Sequence, residues 1–193
     1  MKNLIRIMAV ICLVGTAFAQ TGERLPSSSG GWWTTGTAPS AGVNCVQTLT
    51  IGAPTTGTFR LTFAGPITAP ITWVAVNATL VTNIQNALNA LNTINGSGNV
   101  TVAAGTIVNG ANGTITVTFS GDRGKRVEPV MTVTNNLSGG TPTLTCAITT
   151  AGVEADCRIC PKGALVTAKD TGKLYIQTGT PPNPVWSIIT STP

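Results

Sequence analysis

Apolar and polar residues alternate in short bursts along most of the chain. Phe59, Leu61 and Phe63 share one parity, as do Ile71, Trp73 and Ala75, and again Ile115, Val117 and Phe119. A period of two places such residues on one face of a strand, so these are candidate core positions. Threonine fills many of the intervening positions, which suits the solvent side of a half-buried pleat. Strands are predicted over residues 45–51, 58–63, 71–75, 100–103, 114–119, 130–134 and 144–149.

One stretch changes period. Leu80, Ile84, Leu88 and Leu91 recur at helical spacing, with Thr82, Asn83, Gln85, Asn86 and Asn89 on the other side. That pattern predicts an amphipathic helix over about 78–93, capped by Asn77. Asn95-Gly96-Ser97-Gly98 ends it in a turn. Asn112-Gly113 predicts a tight hairpin into the next strand, and Ser138-Gly139-Gly140 another turn. Glu128-Pro129 marks the start or edge of the strand at 130. The fold class is all-β: a single Ig-like or sandwich module over 45–152 with one inserted α-helix, followed by a small C-terminal β-meander over 153–193. The meander's strands are predicted at Leu165, at Leu174-Tyr175-Ile176 and around Trp186.

The two ends read differently. Residues 1–19 have the form of a signal peptide: Lys2 and Arg6, an apolar centre over 7–14, and Ala17-Phe18-Ala19 as the small-x-small cleavage site. Ile11 before Cys12 does not fit a lipidation site, and the apolar run is too short for a spanning helix. The protein is expected to be secreted, extracellular or at the cell surface, with no membrane insertion after signal cleavage. Residues 20–44, with Ser27-Ser28-Ser29-Gly30-Gly31 and then Trp32-Trp33, read as a flexible N-terminal arm. Its two tryptophans either fold back on the module or anchor the arm on a neighbouring subunit.

Composition narrows the chemistry. Only 9% of residues are charged and histidine is absent, which removes the commonest general base and a favoured metal ligand. Eleven basic residues less Lys2 and Arg6 leave nine against six acidic ones, a formal charge of +3. Asp122-Arg123-Gly124-Lys125-Arg126 is the one basic concentration; it contains its own acid and no interleaved aromatics, so it reads as a solvated turn and not a nucleic-acid surface. Glu154 and Asp156 read as ordinary exposed charges rather than an acid pair. No serine lies in a Gly-x-Ser-x-Gly context. An enzyme is therefore not expected, and neither is a cofactor or a metal. Asn77, Asn95, Asn99, Asn112 and Asn136 open Asn-x-Ser/Thr triplets, a frequency that the Asn- and Thr-rich composition explains.

Cys45, Cys146, Cys157 and Cys160 remain after signal cleavage, an even number in an exported chain. A single Cys-x-x-Cys is too few for a four-cysteine zinc site. Two disulfides are expected. Because the first and last strands of a sandwich often adjoin, Cys45 with Cys146 is the preferred pair, leaving Cys157 with Cys160; the crossed pairing would tie the meander to the module instead. Tyr175 and Trp186 are expected to form a cross-strand aromatic pair or a sugar-stacking platform.

Two resemblances add to this. The succession Val46-Gln47-Thr48-Leu49-Thr50-Ile51, Gly57-Thr58-Phe59-Arg60-Leu61-Thr62-Phe63, Ile84-Gln85-Asn86-Ala87-Leu88 and Ile115-Thr116-Val117-Thr118-Phe119-Ser120-Gly121 resembles threonine-rich β-modules repeated in bacterial surface proteins and phage virion proteins. The run Gly172-Lys173-Leu174-Tyr175, followed by Trp186, is similar to Gly-x-Leu-Tyr…Trp hairpins of phage fibre proteins. Both imply a stacking, display or attachment role and carry no catalytic residues over. The expectation is an exported, non-enzymatic structural protein, self-assembling into an extracellular filament or surface layer, its subunits joined by exchange of the N-terminal arm, which pairs as a strand with an open sheet edge of a neighbouring copy. Other copies of itself are the expected partners, with Trp32, Trp33, Tyr175 and Trp186 as candidate subunit contacts. A carbohydrate-binding or adhesive module, with surface glycans as partners, is the alternative; a virion decoration or fibre protein is a further one.

Overall fold

Leu49 and Ile51 are buried, whereas Thr48 and Thr50, which alternate with them, lie on the solvent side, so threonine alternation here builds a one-sided strand. The structure is a computed structural model and describes residues 32–35 (backbone alone), 39–108, 111–156, 160, 162–168 and 173–189. The signal peptide predicted over 1–19 lies outside them. Strands β1 to β11 run over Trp32–Thr35, Val46–Ile51, Thr56–Thr62, Ile71–Thr72, Val100–Ala104, Gly113–Phe119, Thr132–Ser138, Leu144–Thr150, Leu165–Ala168, Leu174–Gln177 and Trp186–Ile188; helix α1 spans Asn77–Asn89. The chain divides into two units, one spanning Ala41–Ala155 and one drawn from residues up to Ser40 and from Asp156 onward.

The Ala41–Ala155 unit holds two sheets. One is ordered β5-β6-β2-β8 and the other β4-β3-β7, with antiparallel neighbours throughout. Leu49, Ile115, Val117 and Phe119 of the first sheet share a core with Phe59, Leu61, Phe63 and Ile71 of the second layer. The Phe63 and Phe119 rings approach to 4.9 Å between centroids. The fold is all-β with a single inserted helix, arranged as a sandwich. Gly139 and Gly140, at φ 71° and 63°, supply the left-handed turn that carries the chain from β7 in one sheet to β8 in the other.

The helix closes one side of the sandwich. Leu80, Ile84 and Leu88 bury the predicted stripe, and α1 packs against both β5 and β4. It ends at Asn89, short of residue 93, and Leu91 and Ile94 continue the apolar contact through turns. Asn77 is not the cap: Val76 holds that position without a side-chain bond, and Asn77 Nδ2 donates instead to the Ile107 carbonyl at 2.7 Å. Gln85, on the face predicted to be solvated, takes hold of β5. Its Oε1 accepts the Val102 N–H at 2.8 Å and its Nε2 donates to the Val100 carbonyl at 3.1 Å, as a neighbouring strand would.

Strand boundaries shift as well. The strand at 71–75 shortens to two residues, extended only by the Trp73 N–H bond to the Gly57 carbonyl at 2.9 Å. β5 and β6 do form a hairpin, but residues 105–112 connect them instead of a two-residue turn at Asn112-Gly113. The strand predicted over 130–134 begins at Thr132, because the Met131 N–H is taken by the Gln47 side chain at 2.8 Å.

In the other unit, β9, β10 and β11 form the predicted antiparallel meander. A fourth strand, β1, lies parallel on the far side of β9, giving the order β1-β9-β10-β11. Val166, Ala168 and Tyr175 make a small core that Trp186 packs against.

Candidate functional site

Within the arm read as flexible over 20–44, Trp32–Thr35 forms a strand. Trp32 stands in register with Leu165, Trp33 with Val166, Thr34 with Thr167 and Thr35 with Ala168. Parallel strands cannot be joined by a tight turn, and here all of Ala41–Ala155 intervenes in sequence between β1 and β9. Residues 39–44 are ordered by backbone bonds as well. The Ser40 N–H donates to Asp156 Oδ2 and the Asp156 N–H donates to the Ser40 carbonyl, both at 2.8 Å. Asp156 is thus a clamp and not a bare surface charge. Val43 and Val153 exchange paired bonds at 3.0 and 2.9 Å.

Tyr175 and Trp186 are diagonal neighbours and do not face each other. Tyr175 stands opposite Ile188 on one side and Val166 on the other, while Trp186 stands opposite Gln177. Tyr175 is 8% exposed and belongs to its unit's core. A ring so enclosed offers little face to a sugar. Gln177 is fully buried, and its Oε1 accepts from Gly179 N and Val185 N, both at 2.9 Å, tying off the loop between β10 and β11.

The cysteines correct the preferred pairing. Cys45 and Cys146 are both free thiols. β2 and β8 do adjoin, but their register sets Cys146 opposite Leu49, four positions from Cys45. Cys146 points to the core side, half-buried, and its thiol donates to Gln47 Oε1 at 3.5 Å. Burial pushes that thiol up to about 11, against a smaller downward pull from the Met131 N–H and a further upward one from Cys45. Cys160 is buried and disulfide-bonded. Cys157 lies outside the described residues.

The basic turn is also not the solvated loop the charges suggest. Arg123 Nε donates to the Thr93 carbonyl at 2.7 Å, its Nη2 donates to the same oxygen, and its guanidinium lies 5.2 Å from the Phe63 ring centroid. Glu128, its side chain 1% exposed, meets Arg123 at 3.3 Å and Arg126 at 3.2 Å. Lys125 N–H donates to Asn44 Oδ1 at 2.9 Å. These groups fasten the crossing between β6 and β7 to the sandwich. Gln47, a fully buried amide that no sequence pattern singles out, does the same from β2, donating to the Pro129 carbonyl at 2.7 Å while accepting from Met131 N.

Two shallow grooves open on this unit. One, of about 420 Å³, runs between β4 and α1 past Pro70, Thr72, Asn83 and Asn86. The other, of about 400 Å³, is lined by Thr50, Thr106, Asn112, Thr114 and Thr143. Neither lining includes an acid, a base or a thiol. Among the described residues no cluster of three or more His, Cys, Asp or Glu side chains could hold a metal ion. Nor is any helix among them long and apolar enough to cross a membrane. No protein-family model matches the chain, and no curated protein matches it.

Two features of the sheets stand out among the described residues. The outer face of the β5-β6-β2-β8 sheet presents Thr101, Thr118, Thr116, Thr48, Thr114, Thr50 and Thr145 without a charged residue. β1 supplies a strand that is added to its sheet and not folded into it as a hairpin.

Proposed function

We propose that the chain is an exported, non-enzymatic structural subunit that assembles with copies of itself by exchanging β1. The observation that carries this reading is the parallel β1–β9 pairing, made by a segment separated in sequence from β9 by the whole Ala41–Ala155 unit. The same backbone bonds form equally well when β1 comes from a neighbouring copy, so exchange costs little beyond the ordering of the connecting residues. Passing β1 from each copy to the β9 edge of the next is a head-to-tail contact, and such contacts extend into filaments when they do not close. The signal-peptide pattern, the resemblance to stacking modules and the stapled Cys160 support an extracellular setting. The glycan-binding alternative draws less support, because Tyr175 is enclosed in its own core.

Strand complementation tests the exchange. A chain lacking residues 20–35 leaves the β9 edge open, and a synthetic peptide of residues 20–38 is expected to bind it saturably. A peptide with Trp32 and Trp33 changed to glycine is expected to bind at least tenfold more weakly. Equal binding of both peptides, or of neither, contradicts the reading.

A further inference from the structure

We infer that β8 is a second assembly edge, at which two copies pair β8 with β8, antiparallel, about a two-fold axis near Cys146. This goes beyond the β1 exchange and uses a different junction; the two share only the premise that copies associate.

The other edges of the sandwich are short or partly occupied. β5 has its Val102 N–H and Val100 carbonyl occupied by Gln85 of α1. β4 is two residues long. On β7 the Leu137 N–H is taken by Asn135 Oδ1 at 3.0 Å, and Asn135 Nδ2 reaches the Pro142 carbonyl at 3.5 Å. Exposed edges are ordinarily blunted by charge, proline, bulges or cover, since an open row of backbone groups recruits another strand. β8 is seven residues long, with Thr145, Ala147, Ile148, Thr149 and Thr150 exposed, and β2 is its only ladder partner among the described residues.

Charge favours a second copy as the occupant. Two-fold pairing sets each residue of a strand against itself or a near neighbour, so any charge would meet its like. No charged residue occurs anywhere from 129 to 153. The register shift on the β2 side falls beside Ile148 and Thr150, leaving Leu144 to Ile148 as the regular run, with Cys146 at its centre. Pairing about Cys146 sets Thr145 opposite Ala147 of the second copy on the outer face. On the inner face it brings Leu144 across from Ile148, which is 41% exposed in the single chain. It joins two four-stranded sheets into one of eight.

The test compares the full chain with T145K/A147K, which sets lysine opposite lysine twice, and with T101K/A103K on the β5 edge of the same sheet. All four positions are exposed, and circular dichroism melts verify folding. Sedimentation and mass per length in electron micrographs are the readouts. If β8 pairs, T145K/A147K weakens self-association at least tenfold, or halves the mass per length of filaments, while T101K/A103K changes neither. Mild oxidation should then crosslink Cys146 to Cys146 between copies in the unaltered protein only. Filaments of unchanged mass per length in T145K/A147K overturn the β8 junction and leave β1 exchange standing. Unaltered protein that forms dimers but no filaments, with T145K/A147K monomeric, supports the β8 junction and overturns filament formation by exchange. Unaltered protein that stays monomeric at every concentration overturns both.

Discussion

Cys146 stands opposite Leu49 on the β2–β8 ladder, four positions from Cys45, and both thiols are free. At about 3.3 Å per residue that offset is roughly 13 Å, whereas a disulfide needs Cα atoms within about 7 Å. The neighbouring strands are right for a bridge and the register is wrong. Peptide mapping without reduction is expected to yield no Cys45–Cys146 peptide within one chain. Recovery of that peptide from folded monomer would require β8 to slide along β2.

The same thiol carries a pH dependence. Burial raises Cys146 from the ordinary 9.0 to about 11, so the native state holds its proton more tightly than the unfolded chain does. Its contribution to stability is complete below pH 9.0 and is lost as pH rises toward about 11. Urea midpoints measured from pH 8 to 11 are expected to fall more steeply for the unaltered protein than for Cys146→Ala. Parallel slopes would show that the thiol is not held protonated by the fold.

Glu128→Ala removes the carboxylate shared by Arg123 and Arg126. Breaking one side of a buried ion pair costs about 3–5 kcal/mol, and the lower end applies here because both guanidinium groups keep some contact with water. Equilibrium urea unfolding is expected to show a loss of about 3 kcal/mol. A loss under about 1 kcal/mol would place the pair among surface bridges of little consequence.

Gln47→Leu keeps bulk at a fully buried site but removes the amide that accepts from the buried Met131 N–H and donates to the Pro129 carbonyl. Loss of that acceptor at the buried Met131 N–H costs about 1–3 kcal/mol, whereas Pro129 is exposed. The variant is expected to unfold at lower urea, and hydrogen exchange at Met131 to accelerate more than exchange at Ile115 in the core. Uniform acceleration at both amides would mean that the whole sandwich loosened and that Gln47 holds no local crossing.

Wherever side-chain period alone decided the outcome, the fold was legible. Phe59-Leu61-Phe63 and Ile115-Val117-Phe119 are core, and Leu80, Ile84 and Leu88 form the buried stripe of the helix. Periodicity failed where a side chain stood in for a strand. Gln85 and Gln47 look like surface amides in sequence, yet each completes backbone bonding that a ladder would otherwise supply. Arg123 looked solvated because the Thr93 carbonyl and Phe63 ring that hold it lie far from it in sequence. That the Trp-bearing arm would pair with a sheet edge was legible, but its partner was not, because Leu165 and Val166 come after the entire sandwich. Register is likewise set by contacts at a distance, so the adjacency of β2 and β8 could be anticipated but the offset of their cysteines could not.

Negative-stain electron microscopy of the full chain beside the chain lacking residues 20–35, at equal concentration, tests the central claim most directly. The full chain is expected to form filaments, and the shortened chain to remain folded by circular dichroism without forming any. Filaments of the same diameter from the shortened chain would contradict assembly by β1 exchange.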